Sequence, residues 1–242
     1  MLVGHVAVGL AGKRVAPQVS LGTLVLATLL SDLLWCVFLI AGIEHTEIVR
    51  RGTRLMNSSV VSQIAFSHGL VPDLLWGALL AAAVFAFSRN GKAACLVGAA
   101  VVSHWVLDFA SHNPDMPLAP GLRQVFGLGL WNSIPATLVV EGGLWALSIG
   151  LYLRATKSRS RLSPYAFWGG VILLTLAWYN NIAGPPPSSG MRTAAISSLI
   201  FFSLVVLWAY WLDHWTKPER HPLPDGRRSV SGFMTNKNLT QN

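Results

Sequence analysis

Charge is what this sequence has least of. Asp, Glu, Lys and Arg make up 12% of the 242 residues, about half the share of roughly 25% found in soluble domains. So few charges cannot clothe a water-exposed surface. With 52% apolar residues and ten Trp, and a mean hydropathy of +0.51, an ordinary soluble globule is excluded and an integral membrane protein is implied. Acidic residues are scarcer than basic ones, 10 against 18, for a formal charge of +8. A balance of that sign can serve nucleic acid. Here the bases sit in short loops and the tail, the distribution expected of membrane topology, and no nucleic-acid partner is expected. Cysteine is nearly missing. Cys36 and Cys95 both lie in apolar runs and read as small core residues, which excludes a disulfide framework and a thiolate metal site. No basic segment precedes the first apolar run, whose Lys13 and Arg14 follow it, so a cleaved signal is not expected. No internal repeat is visible.

Long apolar runs, by contrast, are abundant. Residues 2–12 are too short to cross a bilayer, which takes about 20 residues. They are expected to form a half-helix tucked against a bundle, with Gly4, Gly9 and Gly12 allowing close approach. Spans are expected at 20–43, 67–87, 93–110, 130–153, 164–183 and 194–215. Between the first two a polar loop with one surface helix turn is expected, 44–66. Residues 111–128 are rich in Pro and Gly and supply turns, and Gly184–Gly190 forms a rigid turn. The expected fold is therefore all-α: a polytopic transmembrane bundle of about six spans plus the N-terminal half-helix over residues 1–215. A basic, partly disordered tail follows over 216–242. With both ends cytoplasmic in a plasma (inner) membrane, all Lys and Arg except Arg50, Arg51, Arg54, Arg123 and Arg192 fall on the inner side.

The chemistry concentrates at Ser103–Asp115. His104 and Asp108 are spaced i,i+4 and share one helix face, and His112 continues the stripe. The topology brings His68, at the start of the second span, to the same outer level, with Asp32 and Glu141 midway across the first and fourth. Each has an ordinary structural reading. His45, His214 and His221 are expected to be hydrogen-bonded structure, Asp73 a helix cap, and Asp213 a locally paired residue. A carboxylate inside the membrane is costly unless paired or metal-bound. Imidazoles with carboxylates and no thiolates form a ligand set for zinc, manganese or iron. The same residue types also line proton or ion pathways, and structural pairing is a third reading.

Several fragments carry a family resemblance. They are Gly4-His5-Val6-Ala7-Val8-Gly9, Asp32 with Trp35, Phe66-Ser67-His68-Gly69-Leu70 with Trp76, Ser103-His104-Trp105-Val106-Leu107-Asp108, and the segments His112–Gly121 and Gly127–Glu141. Over about residues 1–153 the chain resembles the YdjM-type family of inner-membrane metal-dependent hydrolases. The resemblance implies His5, Asp32, His68, His104 and Asp108 as metal ligands, and it brings in His5. Two departures are Ser31-Asp32-Leu33-Leu34, where the family often has a second acid, and His68-Gly69 in place of its usual His-Ser. The expected activity is metal-dependent hydrolysis of a lipid-like ester or phosphoester with one or two divalent cations, zinc first. Glu141 would serve as general base or ligand orienter and His112 as proton donor or substrate contact. Trp131 and Asn132 would touch a lipid headgroup, and Arg123 could meet a phosphate. The alternative is an ion- or proton-coupled transporter.

Overall fold

The computed structural model describes residues 1–50, 59–188 and 190–218. It is mostly helical. In order come α1 (Leu2–Val15), α2 (Leu21–Thr28), α3 (Leu30–Ala41), the strands β1 (His45–Arg50) and β2 (Ser59–Gln63), α4 (Leu70–Ser88) and α5 (Gly91–Ser111). Next are β3 (Met116–Pro117), β4 (Val125–Phe126), a 3-10 turn (Leu130–Asn132), α6 (Ile134–Ala155), β5 (Thr156–Ser158), α7 (Ser163–Ala183), α8 (Met191–Trp215) and β6 (Thr216–Pro218). Local chemistry sets the ends. Ser20, Asn90 and Ser133 cap α2, α5 and α6 by accepting from the backbone N–H three residues on. Gly42 closes α3 in the left-handed conformation (φ 75°).

The half-helix α1 is the centre of the bundle. Its Val3, Val6, Ala7 and Leu10 share one core with Leu21, Val25 and Leu29, and with Trp145, Leu174 and Val206 from α6, α7 and α8. A second cluster joins Ala16, Val19, Leu24 and Ala27 to Ala93, Val97 and Val101 of α5. The outer faces stay apolar: Leu147, Leu176 and Leu207 are 60%, 62% and 61% exposed. Such a surface is stable against hydrocarbon and not against water. α4 and α5 pack closely at Gly77 and Gly98, where a methyl on Gly77 would lie 2.9 Å from the Gly98 carbonyl oxygen. Cys36 is buried as expected, but Cys95 is exposed.

The expected count of six spans needs correction. Among the described residues four helices, α4, α5, α6 and α8, are long and apolar enough to cross a membrane. The first expected span is broken: α2 and α3 meet at an angle of 54°, and they supply a fifth crossing if taken together. At the break the Thr28 hydroxyl donates back to the Val25 carbonyl at 3.1 Å. The expected span at 164–183 is the helix α7. Its Pro164, Tyr165, Asn180 and Asn181 dilute the apolar run, so it is not one of the four. The all-α expectation holds in outline, with three small two-stranded antiparallel pairings added. One of them, β1–β2, replaces the loop with a helix turn expected at 44–66.

The two ends of the bundle differ. At one end Lys13 donates to the Val19 carbonyl at 2.8 Å and lies 3.3 Å from Asp213. Asp213 in turn accepts from the N–H groups of Leu21 and Gly22. The expected local partner of Asp213 is thus a long-range clamp across α1, α2 and α8. β5–β6 pairing ties the ends of α6 and α8 there, together with Arg154, Arg159 and Arg161. The other end holds the start of α4, the end of α5 and the β1–β2 ribbon. Arg51, Arg54, His221 and most of the expected tail lie outside the described residues.

Candidate metal centre

At that second end, side chains from four elements converge. α1 supplies His5, the first turn of α3 Asp32, the turn leading into α4 His68, and the last two turns of α5 His104 and Asp108. All are buried except Asp32, which is partly so. The His68 and His104 Nε2 atoms are 3.4 Å apart. His104 Nε2 lies 3.2 Å from Asp108 Oδ2 and 4.0 Å from Asp32 Oδ1. His68 Nε2 lies 3.7 Å from Asp32 and 3.8 Å from Asp108. His5 stacks on His104 with ring centroids 3.7 Å apart and places Nε2 3.0 Å from Asp108 Oδ1. The Met1 nitrogen donates to the same oxygen at 2.7 Å and meets His5 Nε2 at 2.8 Å.

These five residues form two groups able to hold a metal ion, His5/Asp32/His104 and His68/His104/Asp108. Within each, one donor atom per residue lies within 4.8 Å of the others. The hydrogen bonds of His104 test the fit. Its Nδ1 meets the Thr28 carbonyl at 2.8 Å, and a carbonyl only accepts, so Nδ1 carries a proton and Nε2 is the atom left for binding. That Nε2 faces a second imidazole nitrogen and two carboxylates. Lone pairs crowded in this way favour a cation, and the Met1 nitrogen already offers one to Asp108. A proton on Nε2 satisfies one of the acceptors, whereas a divalent ion can serve several of them and offsets the charge of Asp32 and Asp108. Imidazole and carboxylate donors without thiolate suit such an ion. The residues therefore fit a metal. Because His104 has one ring nitrogen left for binding, the two groups share that donor.

The broken helix is part of this design. α2 ends at Thr28, and a helix end leaves carbonyls without a partner in the helix. The Thr28 carbonyl is the one that orients His104. No breaker marks it, because the run across residues 28–29 contains neither Gly nor Pro. Other supports come from residues distant in sequence. Glu44, placed in a polar loop by sequence, is buried and accepts from the Phe66 and Ser67 N–H groups at 2.8 Å each and from the Ser67 hydroxyl at 2.6 Å. The Ser67 hydroxyl lies 2.8 Å from His68 Nδ1. Asp73 is not a cap: its carboxylate is fully buried and accepts from the Ser31 hydroxyl at 2.7 Å. Ser31, beside Asp32, serves Asp73.

The two residues expected to do proton chemistry lie beside the cluster. His112 ends α5, with Nε2 3.9 Å from Asp108 and Nδ1 3.1 Å from Asp115. Its ring rests on Trp131 at 4.5 Å. Trp131 donates to Glu141 Oε1 at 2.8 Å, and Glu141 Oε2 is buried with no hydrogen-bond partner among the described residues. Asn132 is engaged as well, donating to Asn113 at 2.7 Å. The segment linking α5 to α6 therefore arches over the cluster's edge. Glu141 belongs to neither metal-binding group. Comparison with protein-family models, with curated proteins and with solved structures gives no match for this chain.

Proposed function

We propose that this membrane protein is a metal-dependent hydrolase of the YdjM type, holding one divalent cation, zinc first, and acting on a lipid-like ester or phosphoester. The observation that carries the reading is the convergence of three imidazoles and two carboxylates on one buried point. When bound, a divalent cation supplies Lewis acidity and a nucleophile at neutral pH. The chain's own groups do the rest. His5, Asp32, His68, His104 and Asp108 hold the cation. Asp115 takes one ring nitrogen of His112 and leaves the other toward the cluster, placed to pass a proton to a leaving group. Glu141, with one oxygen fixed by Trp131 and one free, serves as base or orients the attacking group.

A site within apolar helices favours a lipid-like substrate. The basic end, carrying Lys13, Arg14, Arg154, Arg159 and Arg161, is assigned to the cytoplasmic side of a plasma (inner) membrane by the positive-inside rule. The end of α8 then lies inside and the cluster opens toward the outer leaflet. Met1, whose nitrogen meets Asp108 at 2.7 Å, lies with the cluster, so the N-terminus is not at the cytoplasmic end where the sequence placed it.

One observation favours a second reading, an ion- or proton-coupled transporter. Transporter sites form where membrane helices are broken, and the α2/α3 break adjoins His104. The two readings separate experimentally. Purified protein is incubated with a panel of lipid esters and phosphoesters with and without a chelator, and the same protein in sealed vesicles is assayed for metal-ion and proton uptake. The hydrolase reading expects product release abolished by chelation and restored by added zinc, without uptake. Uptake without hydrolysis across the panel would replace it with the transporter.

A further inference from the structure

His68 approaches the cluster differently from His104. Its Nδ1 meets a hydroxyl and not a carbonyl, and a hydroxyl can donate or accept. Which nitrogen of His68 carries the proton therefore depends on where the single Ser67 hydroxyl proton goes. Glu44 decides that. Its Oε1 receives two backbone N–H groups, from Phe66 and Ser67, and its Oε2 receives the Ser67 hydroxyl at 2.6 Å. The other acceptor in reach of that proton, the Ile64 carbonyl, is 3.5 Å away. With its proton on Glu44, Ser67 offers His68 a lone pair.

Resting on the metal reading of this site, we propose that Glu44 is a positioning residue. Through Ser67 it fixes the His68 tautomer protonated at Nδ1, so that the Nε2 lone pair is offered to the cation. The fold builds this connection deliberately. Gly42 turns the chain out of α3, the Ile43 and Glu44 N–H groups return to the Phe38 carbonyl, and β1–β2 pairing sets His45 opposite Gln63. That register brings Glu44 against the Ile64–Ser67 turn. Partners that orient a ligand imidazole through its second nitrogen change metal affinity by about 10–100-fold. Here the partner carboxylate acts through an intervening hydroxyl.

The decisive variant is Glu44→Gln. Its amide oxygen keeps both backbone N–H groups, so the turn is preserved. Its amide nitrogen can only donate to Ser67. The Ser67 proton then swings to His68 Nδ1, and the His68 proton moves to Nε2, against the cation. Zinc affinity is measured by chelator competition on full-length purified protein, with wild type, Glu44→Gln, Ser67→Ala and Ser67→Thr. Imidazole 15N shifts of the metal-free proteins report the tautomer. The expected result is a zinc affinity about 10–100-fold lower in Glu44→Gln, with His68 protonated at Nε2. Ser67→Ala should fall less, having lost the bond without imposing the wrong tautomer, and Ser67→Thr should match wild type. Zinc affinity in Glu44→Gln within threefold of wild type, or an unchanged His68 tautomer, overturns the proposal. Wild-type protein that binds no zinc defeats the metal reading instead, and the 15N shifts still decide whether Glu44 sets the tautomer.

Discussion

Replacing His104 by alanine tests the site at the residue both donor groups require. Two separable effects follow. Without metal, the variant loses the ring that satisfies the Thr28 carbonyl at 2.8 Å. An unsatisfied buried acceptor costs about 1–3 kcal/mol, and the lost stacking with His5 adds to it. With metal, the difference is larger. An ion present at 100 times its Kd stabilises the wild-type fold by about 2.7 kcal/mol. For a chain of this length that is about 5–10 °C in Tm. The assay is thermal unfolding in detergent, run in chelator and across a zinc titration, for both proteins. Wild type should gain those degrees with rising zinc, and the variant should begin lower and gain none. An equal zinc-induced gain in both proteins would refute the reasoning, because it would place the ion elsewhere.

Other outcomes follow from the remainder of the fold. Asp213→Ala removes the acceptor for the first N–H groups of α2 and the partner of Lys13. It should cost about 1–3 kcal/mol in unfolding experiments and leave metal content unchanged. Gly170→Ala would set a methyl 2.3 Å from the Trp208 ring, so overpacking of about 1–3 kcal/mol should lower Tm without altering metal binding. For topology, with exposed Cys95 first replaced by serine, a cysteine at Arg123 should react with an impermeant thiol reagent applied to intact cells. One at Ser158 should not, and the opposite pattern would turn the site to the cytoplasm.

Much of the helical layout was legible because burial in lipid demands apolar runs, and their ends are marked by Ser20, Asn90 and Ser133. The i,i+4 pair His104 and Asp108 was equally visible, since helical spacing alone puts both on one face. The break at Leu29 was hidden. Nothing in Leu-Ala-Thr-Leu-Leu stops a helix locally, and the His104 ring that takes the Thr28 carbonyl comes from 76 residues away. Glu44 was hidden for the opposite reason. A carboxylate in a polar stretch reads as solvated, and only β1–β2 pairing brings it against Ser67. Asp73 looked like a cap because it stands in the first turn of α4, but the side chain that receives it, Ser31, belongs to a distant element.

The central claim is one cation held jointly by His104, Asp108 and their neighbours. The direct measurement is elemental analysis of protein purified without chelator, compared with the double variant His104→Ala/Asp108→Ala shown to be folded by its elution profile. The account predicts about one divalent transition-metal ion per wild-type chain and none in the variant. Metal-free wild type, or equal metal in both, would contradict it.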